Sequence, residues 1–392
     1  MFSSRVHHGA PRNQLSLALE RRQREGLSVV DLTLSNPTTA NFVYDRRLLE
    51  PLADPLGLCY DPQPFGLESA RRAVANDIGR LGVSVAPRQV VLTASTSEAY
   101  SLLFKLLCDP GDIVLVPRPS YPLVEHLTRL DGVGLEHYSL EFHGQWAVDI
   151  DGLRDRLARR SGGRIRAMVV VTPNNPTGSV LDDEQLETVV HLARAHDIAL
   201  IADEVFADYV LSDRRPASVL RQGTALTFAL GGLSKSVGLP QVKLGWIAIT
   251  GPSADVEPAM DRLETICDAY LSVSTPVQLA LPALLGEGAA VRTQIHARIR
   301  ENYAALARAV AEHPWCSLLS ADAGWYAVIQ VPATRSEEAI VVDLVERRGI
   351  VVHPGYFYDF EREAFLVVSL LPEPAVFSDA VRTVCAEVAA AR

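Results

Sequence analysis

The sequence predicts an α/β protein: a three-layer α/β/α large domain on a mainly parallel sheet, joined to a smaller α+β domain. Three observations predict it. Short β-branched apolar runs alternate with amphipathic stretches from about residue 67 to 250. The runs are apolar throughout rather than alternating in and out, so helices must cover both sheet faces. After about residue 285 the alternation gives way to a long helical stretch followed by mixed strand and helix patterns, which reads as a second unit.

The candidate strands are QVVLTA (89–94), DIVLVP (112–117), AMVVVTP (167–173), IALIADE (198–204), ALTFAL (225–230) and KLGWIAIT (243–250). Helices are expected between them at Ser97–Cys108, Ser120–Leu130, Asp182–Ala195 and Arg214–Gln222. A long helix is expected over Val291–His313, stopped by Pro314, and another around Ser336–Arg348. The strand patterns WYAVIQVP, GIVVHPG and AFLVVSLLP surround that second helix. The first 45 residues are too few to fold alone. The expected division is therefore 46–285 for the large domain, with 1–45 and 286–392 together forming the small one.

The 392 residues carry a net charge of −10, which argues against a general nucleic-acid binder. Five scattered cysteines, with no CxxC and no His/Cys ligand cluster, indicate reduced thiols and no metal site. The N-terminus lacks the apolar core of a signal peptide, and no apolar run reaches membrane-spanning length. A cytoplasmic protein is the expectation.

Polar clusters follow the strands, where open parallel sheets place their ligands. Ser95-Thr96-Ser97-Glu98 has the spacing of a capping box, and a helix start offers N–H groups to a phosphate. Asn174 and Asn175 lie in a rigid turn between prolines. Asp203 ends an apolar strand, so its carboxylate needs a cation or a proton donor. Lys235 follows a strand that should be buried, as either a snorkelling chain or a desolvated amine.

VTPNNPTG, then ADEVFADY, then GGLSKSVGLPQVKLGW, with PRPSYP (117–122) and YDPQPFGLESARRAV (60–74), resembles the class I/II aminotransferase family over about residues 30–370. The resemblance implies pyridoxal-phosphate (PLP) fold-type I and a PLP-dependent aminotransferase acting on an amino acid and a 2-oxo acid. Lys235 matches the family's Schiff-base lysine, which also moves the substrate α-proton. Asp203 matches the carboxylate facing the pyridine nitrogen, Asn175 the donor to the ring's phenolic oxygen, and Tyr121 the stacking aromatic. Thr96 and Ser97, beside Ser95 and with Ser234 nearby, match the phosphate loop. Tyr60 matches a tyrosine that reaches the neighbouring subunit's cofactor, implying a homodimer.

Several positions depart from the family pattern. Lys243 replaces an arginine phosphate ligand, keeping the charge and losing the bidentate fork. Gly232 replaces a serine, and Phe206 a tyrosine that would donate to the phenolic oxygen. Val367 stands where the family places the arginine that clamps the substrate carboxylate. Arg118 and Arg362 are candidate replacements. Ser35 stands in place of a glycine, and with Asn36, Tyr121 and Asn175 it is expected at the substrate. His353 lies in the segment matching the part of the small domain that closes over substrate. Phe42, Tyr44, Tyr60, Trp325, Tyr356 and Phe357 suggest an aromatic mouth. The missing arginine leaves a second reading open: another PLP reaction on the same scaffold, as a lyase, decarboxylase, racemase or oxidase.

Overall fold

The computed structural model describes residues 2–6, 13–159, 162–214, 216–271 and 273–390. Its strands in chain order are β1 (Val30–Asp31), β2 (Val90–Thr93), β3 (Ile113–Arg118), β4 (Gly134–Phe142) and β5 (Trp146–Val148). Then come β6 (Ile165–Val171), β7 (Ala199–Asp203), β8 (Thr227–Gly232), β9 (Gly245–Thr250) and β10 (Ser317–Leu319). β11 (Tyr326–Gln330), β12 (Ile350–Val351), β13 (His353–Pro354) and β14 (Phe365–Ser369) complete the set.

Eight strands form one sheet in the order β2-β9-β8-β7-β6-β3-β4-β5. Its centre, β8 to β4, is parallel; β9 and the edge strand β5 run antiparallel to their neighbours. Apolar clusters cover both faces: Val91, Val169, Ile201 and Phe228 pack on one, and Val90, Met168, Leu200 and Ala229 on the other. This two-sided burial is why the strands read as continuous apolar runs. A four-stranded sheet, β10-β11-β14-β13, carries the smaller unit. β1 pairs with β12, tying the N-terminal segment to it. The helix Ala289–Ala311 buries Val291, Ile295, Ile299 and Leu306, an i, i+4 stripe facing one core.

The sequence reading differs from the structure at several places. Arg214–Gln222 is not an α-helix; a single 3₁₀ turn, Val219–Arg221, forms there. Pro216 lacks a backbone N–H, and Glu204 takes the Val219 N–H at 2.8 Å and the Ser218 hydroxyl at 3.0 Å. The hairpin of β4 and β5 forms in a stretch without a continuous apolar run, because the sheet edge buries only part of it. Helices Ser253–Tyr270 and Thr275–Glu287 occupy a stretch where no element was expected.

Glu337 organises the small unit from within. It is fully buried and accepts the Tyr356 N–H at 2.8 Å and the Phe365 N–H at 2.7 Å. Glu337→Ala leaves two buried donors unmatched and is expected to cost about 2–4 kcal/mol. Urea unfolding monitored by far-UV circular dichroism would show the midpoint fall, whereas an unchanged midpoint would mean that these donors find other partners.

Candidate active site

β6, β7 and β8 are adjacent and parallel, so their C-terminal ends emerge side by side. The Asn175 turn follows β6, Asp203 ends β7, and Lys235 lies in the one-turn helix Leu233–Ser236 directly after β8. β2 reaches the same edge through β9, where Thr93 and Gly232 both pair with Gly245. These ends surround a cavity of about 690 Å³ whose wall includes Thr96, Ser97, Asn175, Asp203 and Lys235.

Lys235 Nζ lies 4.9 Å from the centroid of the Trp325 ring and 5.8 Å from that of Phe206. Burial among these rings lowers its pKa to about 8, against the opposing pull of the Asp203 charge. Its backbone carbonyl accepts the Tyr209 hydroxyl, which fixes the short helix. Asp203 accepts the Tyr100 hydroxyl at 3.1 Å and the Val205 N–H at 3.2 Å. Desolvation raises its pKa, and these two bonds oppose the rise.

The two asparagines of the turn separate in role. Asn174 is buried, and its Oδ1 accepts the Thr177 hydroxyl at 2.9 Å and N–H at 3.3 Å. Asn175 faces the cavity, and its Oδ1 is buried with no hydrogen-bond partner among the described residues. Gly178 closes the turn at φ +67°, and a Cβ there would come within 2.6 Å of Ala321.

Helix Thr96–Leu107 points its N-terminus at the cavity. Ser95 caps the helix by accepting the Glu98 N–H at 3.2 Å, and Glu98 reaches back to the Ala94 N–H at 2.6 Å, one residue before the cap. Ser95 is therefore engaged as the cap, while Thr96 and Ser97 stand in the cavity wall. Ser234, Lys243, Tyr60 and Arg118 lie outside the wall. Lys243 is exposed at φ +60°, and Tyr60 is 71% exposed. Arg118 pairs with Asp359, donating to its carbonyl at 2.8 Å and its carboxylate at 3.0 Å. Arg362 is exposed, 5.5 Å from the Phe365 ring centroid. A Cβ at Gly232 would sit 3.2 Å from the Leu244 carbonyl oxygen and from Gly245 Cα, so the family's serine has little room there.

Ser35, Asn36 and Tyr121 line the substrate side with Phe357, Tyr358 and His353. His353 stacks on Phe357 at 4.7 Å between centroids, and its Nδ1 lies 3.0 Å from the Tyr358 hydroxyl. Burial pushes its pKa down to about 4, so the ring is neutral at physiological pH. Of the expected aromatic mouth, Phe357 lines the cavity and Trp325 backs Lys235, while Phe42 is buried under Arg298 and Tyr44 donates to the Gly238 carbonyl. Tyr100, Tyr326 and Tyr358 also line the cavity, and the sequence reading did not single them out. Tyr100 had a signal: it lies one turn beyond Thr96, on the same helix face.

Residues 61–375 match the family model described as aminotransferase class I and II. The chain belongs to the class I and II aminotransferases. This aminotransferase is 30% identical over 369 residues to the alanine aminotransferase of Mycobacterium bovis, covering 90% of this chain and 83% of that one. It is 29% identical over 273 residues to the glutamate-pyruvate aminotransferase AlaA of Escherichia coli K12, covering 68% of this chain and 66% of the other. An E. coli aminotransferase crystal structure shares the fold at TM-score 0.87, with 23% identity and 99% and 98% of the two chains covered. The Pyrococcus furiosus alanine aminotransferase superposes at TM-score 0.85, with 24% identity and 95% of each chain covered. The fold is therefore that of the fold-type I aminotransferases.

The cofactor of this aminotransferase is PLP, and the cavity's donor set fits it. An amine of lowered pKa suits the aldehyde, a buried carboxylate suits the pyridine nitrogen, and a helix N-terminus with two hydroxyl residues suits the phosphate. Asn175 lines the same cavity, where its amide N–H group suits the ring oxygen. The lyase, decarboxylase, racemase and oxidase readings that Val367 left open are not favoured against these relatives. Among the described residues no single helix is long and apolar enough to cross a membrane, and no His/Cys/Asp/Glu group could hold a metal ion.

Proposed function

We propose that this enzyme moves an amino group from an amino acid to a 2-oxo acid with Lys235 as the residue covalently linked to PLP. The observation that carries this reading is the convergence of Lys235, Asp203 and Asn175 from three adjacent strand ends on one cavity. The bound cofactor supplies an electron sink for the pair left when the substrate's Cα–H bond breaks. Lys235 removes and returns that proton, acting as base and then acid. Asp203, held by Tyr100 and Val205, keeps a proton on the ring nitrogen. Thr96 and Ser97 hold the phosphate at the helix start, and Asn175 donates to the ring oxygen. Phe206 and Trp325 exclude water from the amine.

The proposed division at 46–285 draws Lys235, Asp203 and Asn175 from the large unit, and Ser35, Tyr326 and His353 from the small one. The exposed Tyr60 supports a homodimer in which it reaches the neighbouring subunit. Five cysteines free of disulfides support a reducing, cytoplasmic setting.

The pKa of Lys235 gives the test. Only the neutral amine attacks an aldehyde, and burial has moved its half-titration down from 10.5 to about 8. The second-order rate constant for PLP capture by cofactor-free protein should rise about tenfold per pH unit up to pH ~8 and then level off. A rise continuing to pH ~10.5 would mean an exposed, ordinary lysine and would defeat the assignment. Sedimentation equilibrium checks the dimer, for which twice the chain mass is expected.

A further inference from the structure

The wall facing the substrate comes from the small sheet, and its register shows which residues face the same way. Tyr326 pairs with Ser369, Val328 with Val367, and His353 with Val367. Directly paired residues of an antiparallel ladder share a face, as do alternate residues along a strand. Tyr326, Val367, Ser369 and His353 therefore form one row, and Tyr326 and His353 of that row open on the cavity. Val367 is fully buried among them, at the position matched to the family's carboxylate-clamping arginine.

The histidine and tyrosines around that position are neutral, and the charge that acts on His353 is the Asp31 carboxylate. His353 is uncharged at pH 7, and the tyrosine hydroxyls of Tyr326 and Tyr358 stay protonated because burial raises their pKa. Among the described residues lining the cavity, Lys235 is the only lysine or arginine, and it sits at the reacting end. The other formal charges in the wall are the carboxyl groups of Asp31 and Asp203. Two nearby arginines are engaged elsewhere: Arg118 by Asp359, and Arg298 by the carbonyls of Ala40 and Leu371. A carboxylate entering this end leaves water without gaining a permanent cation from the described residues of this chain.

We infer that the site accepts amines whose reacting carbon carries an uncharged group, and that an α-carboxylate adds little to their binding. Primary amines, amino alcohols and amino amides belong to this class, and the rings of Tyr121, Phe357 and Tyr358 favour an apolar or aromatic substituent. The exchange balances without an outside oxidant. An amine R–CH(NH2)–R′ gives its nitrogen and two electrons to a carbonyl partner and takes that partner's oxygen. The products are R–CO–R′ and the amine of the acceptor. This inference rests on the transamination reading above and deepens it.

The experiment compares phenylalanine, phenylalaninamide, phenylalaninol and 2-phenylethylamine with the holoenzyme, following loss of the visible cofactor band in single half-reactions. The efficiency of the carboxylated donor should lie within about tenfold of the best uncharged one; a larger advantage for phenylalanine overturns the inference while leaving transamination standing. If no donor changes the band, the transamination reading fails instead. Calorimetry then still decides the inference without turnover. 3-Phenylpropionamide should bind the holoenzyme within about threefold of 3-phenylpropionate, and a tighter carboxylate overturns it. Val367→Arg should raise the preference for phenylalanine over its amide by about tenfold or more, and an unchanged preference counts against the inference. Should that buried substitution unfold the chain, the wild-type panel and calorimetry still decide.

Discussion

Replacing Lys235 by alanine should leave a folded protein that binds PLP without a covalent link and turns over at least about 10³-fold more slowly. General acid–base transfer alone contributes roughly 10²–10⁴-fold, and the variant loses the nucleophile as well. Borohydride reduction followed by mass measurement separates the two forms: wild type should retain the cofactor's mass and Lys235→Ala should not. Retention by the variant would move the covalent site to another lysine. Stability should not fall, because burial lowers the Lys235 pKa and so disfavours its charge in the fold. Below its folded pKa of about 8, folding opposes protonation of this amine. Its drag on stability is therefore greatest at and below neutrality and fades as pH rises from about 8 toward 10.5. The thermal-midpoint difference between variant and wild type, both cofactor-free, should shrink over that interval.

Asp203→Asn should have the next largest effect, a fall in kcat of roughly 10²–10³-fold, the scale of losing one preorganised electrostatic partner at a reacting centre. The substitution keeps the shape and can keep the Tyr100 and Val205 contacts, so the loss isolates the charge. Cofactor-free stability should move the other way. Burial raises the Asp203 pKa, so the fold binds the proton more tightly than the unfolded chain does. The carboxylate therefore costs stability as pH rises through its folded pKa. Cofactor-free Asp203→Asn should melt no lower than wild type at pH 7, even as holoenzyme activity collapses. A variant with near wild-type kcat would remove Asp203 from the site.

These two residues were readable because their surroundings are written locally. A lysine or an aspartate ending a continuous apolar strand of a parallel sheet has nowhere to go but the ligand edge, and β7 and β8 are such strands. The Asn174-Asn175 turn was equally visible, but not which asparagine turns inward. That depends on Thr177 engaging Asn174 and leaving Asn175 toward the cavity. Ser95 read as a phosphate residue and is engaged as the helix cap, one of two roles that the same spacing supports. Arg118 read as a possible clamp; its partner, Asp359, lies 241 residues away and no local pattern reports it.

The sequence by itself determined the architecture of the sheet, the order of the polar clusters along its edge and the family, and it showed Val367 where the family pattern leads one to expect an arginine. Those are properties of periodicity and of motif order, which short-range residue patterns encode. Only the tertiary structure decided what surrounds each group. Tyr100 and Tyr209 brace Asp203 and Lys235, Trp325 and Phe206 desolvate the amine, and His353 and the tyrosines line the far wall with neutral groups. Such contacts join residues tens to hundreds of positions apart. They exist only after two sheets have packed against each other, and the chain's local pattern carries no record of which side chains will meet there.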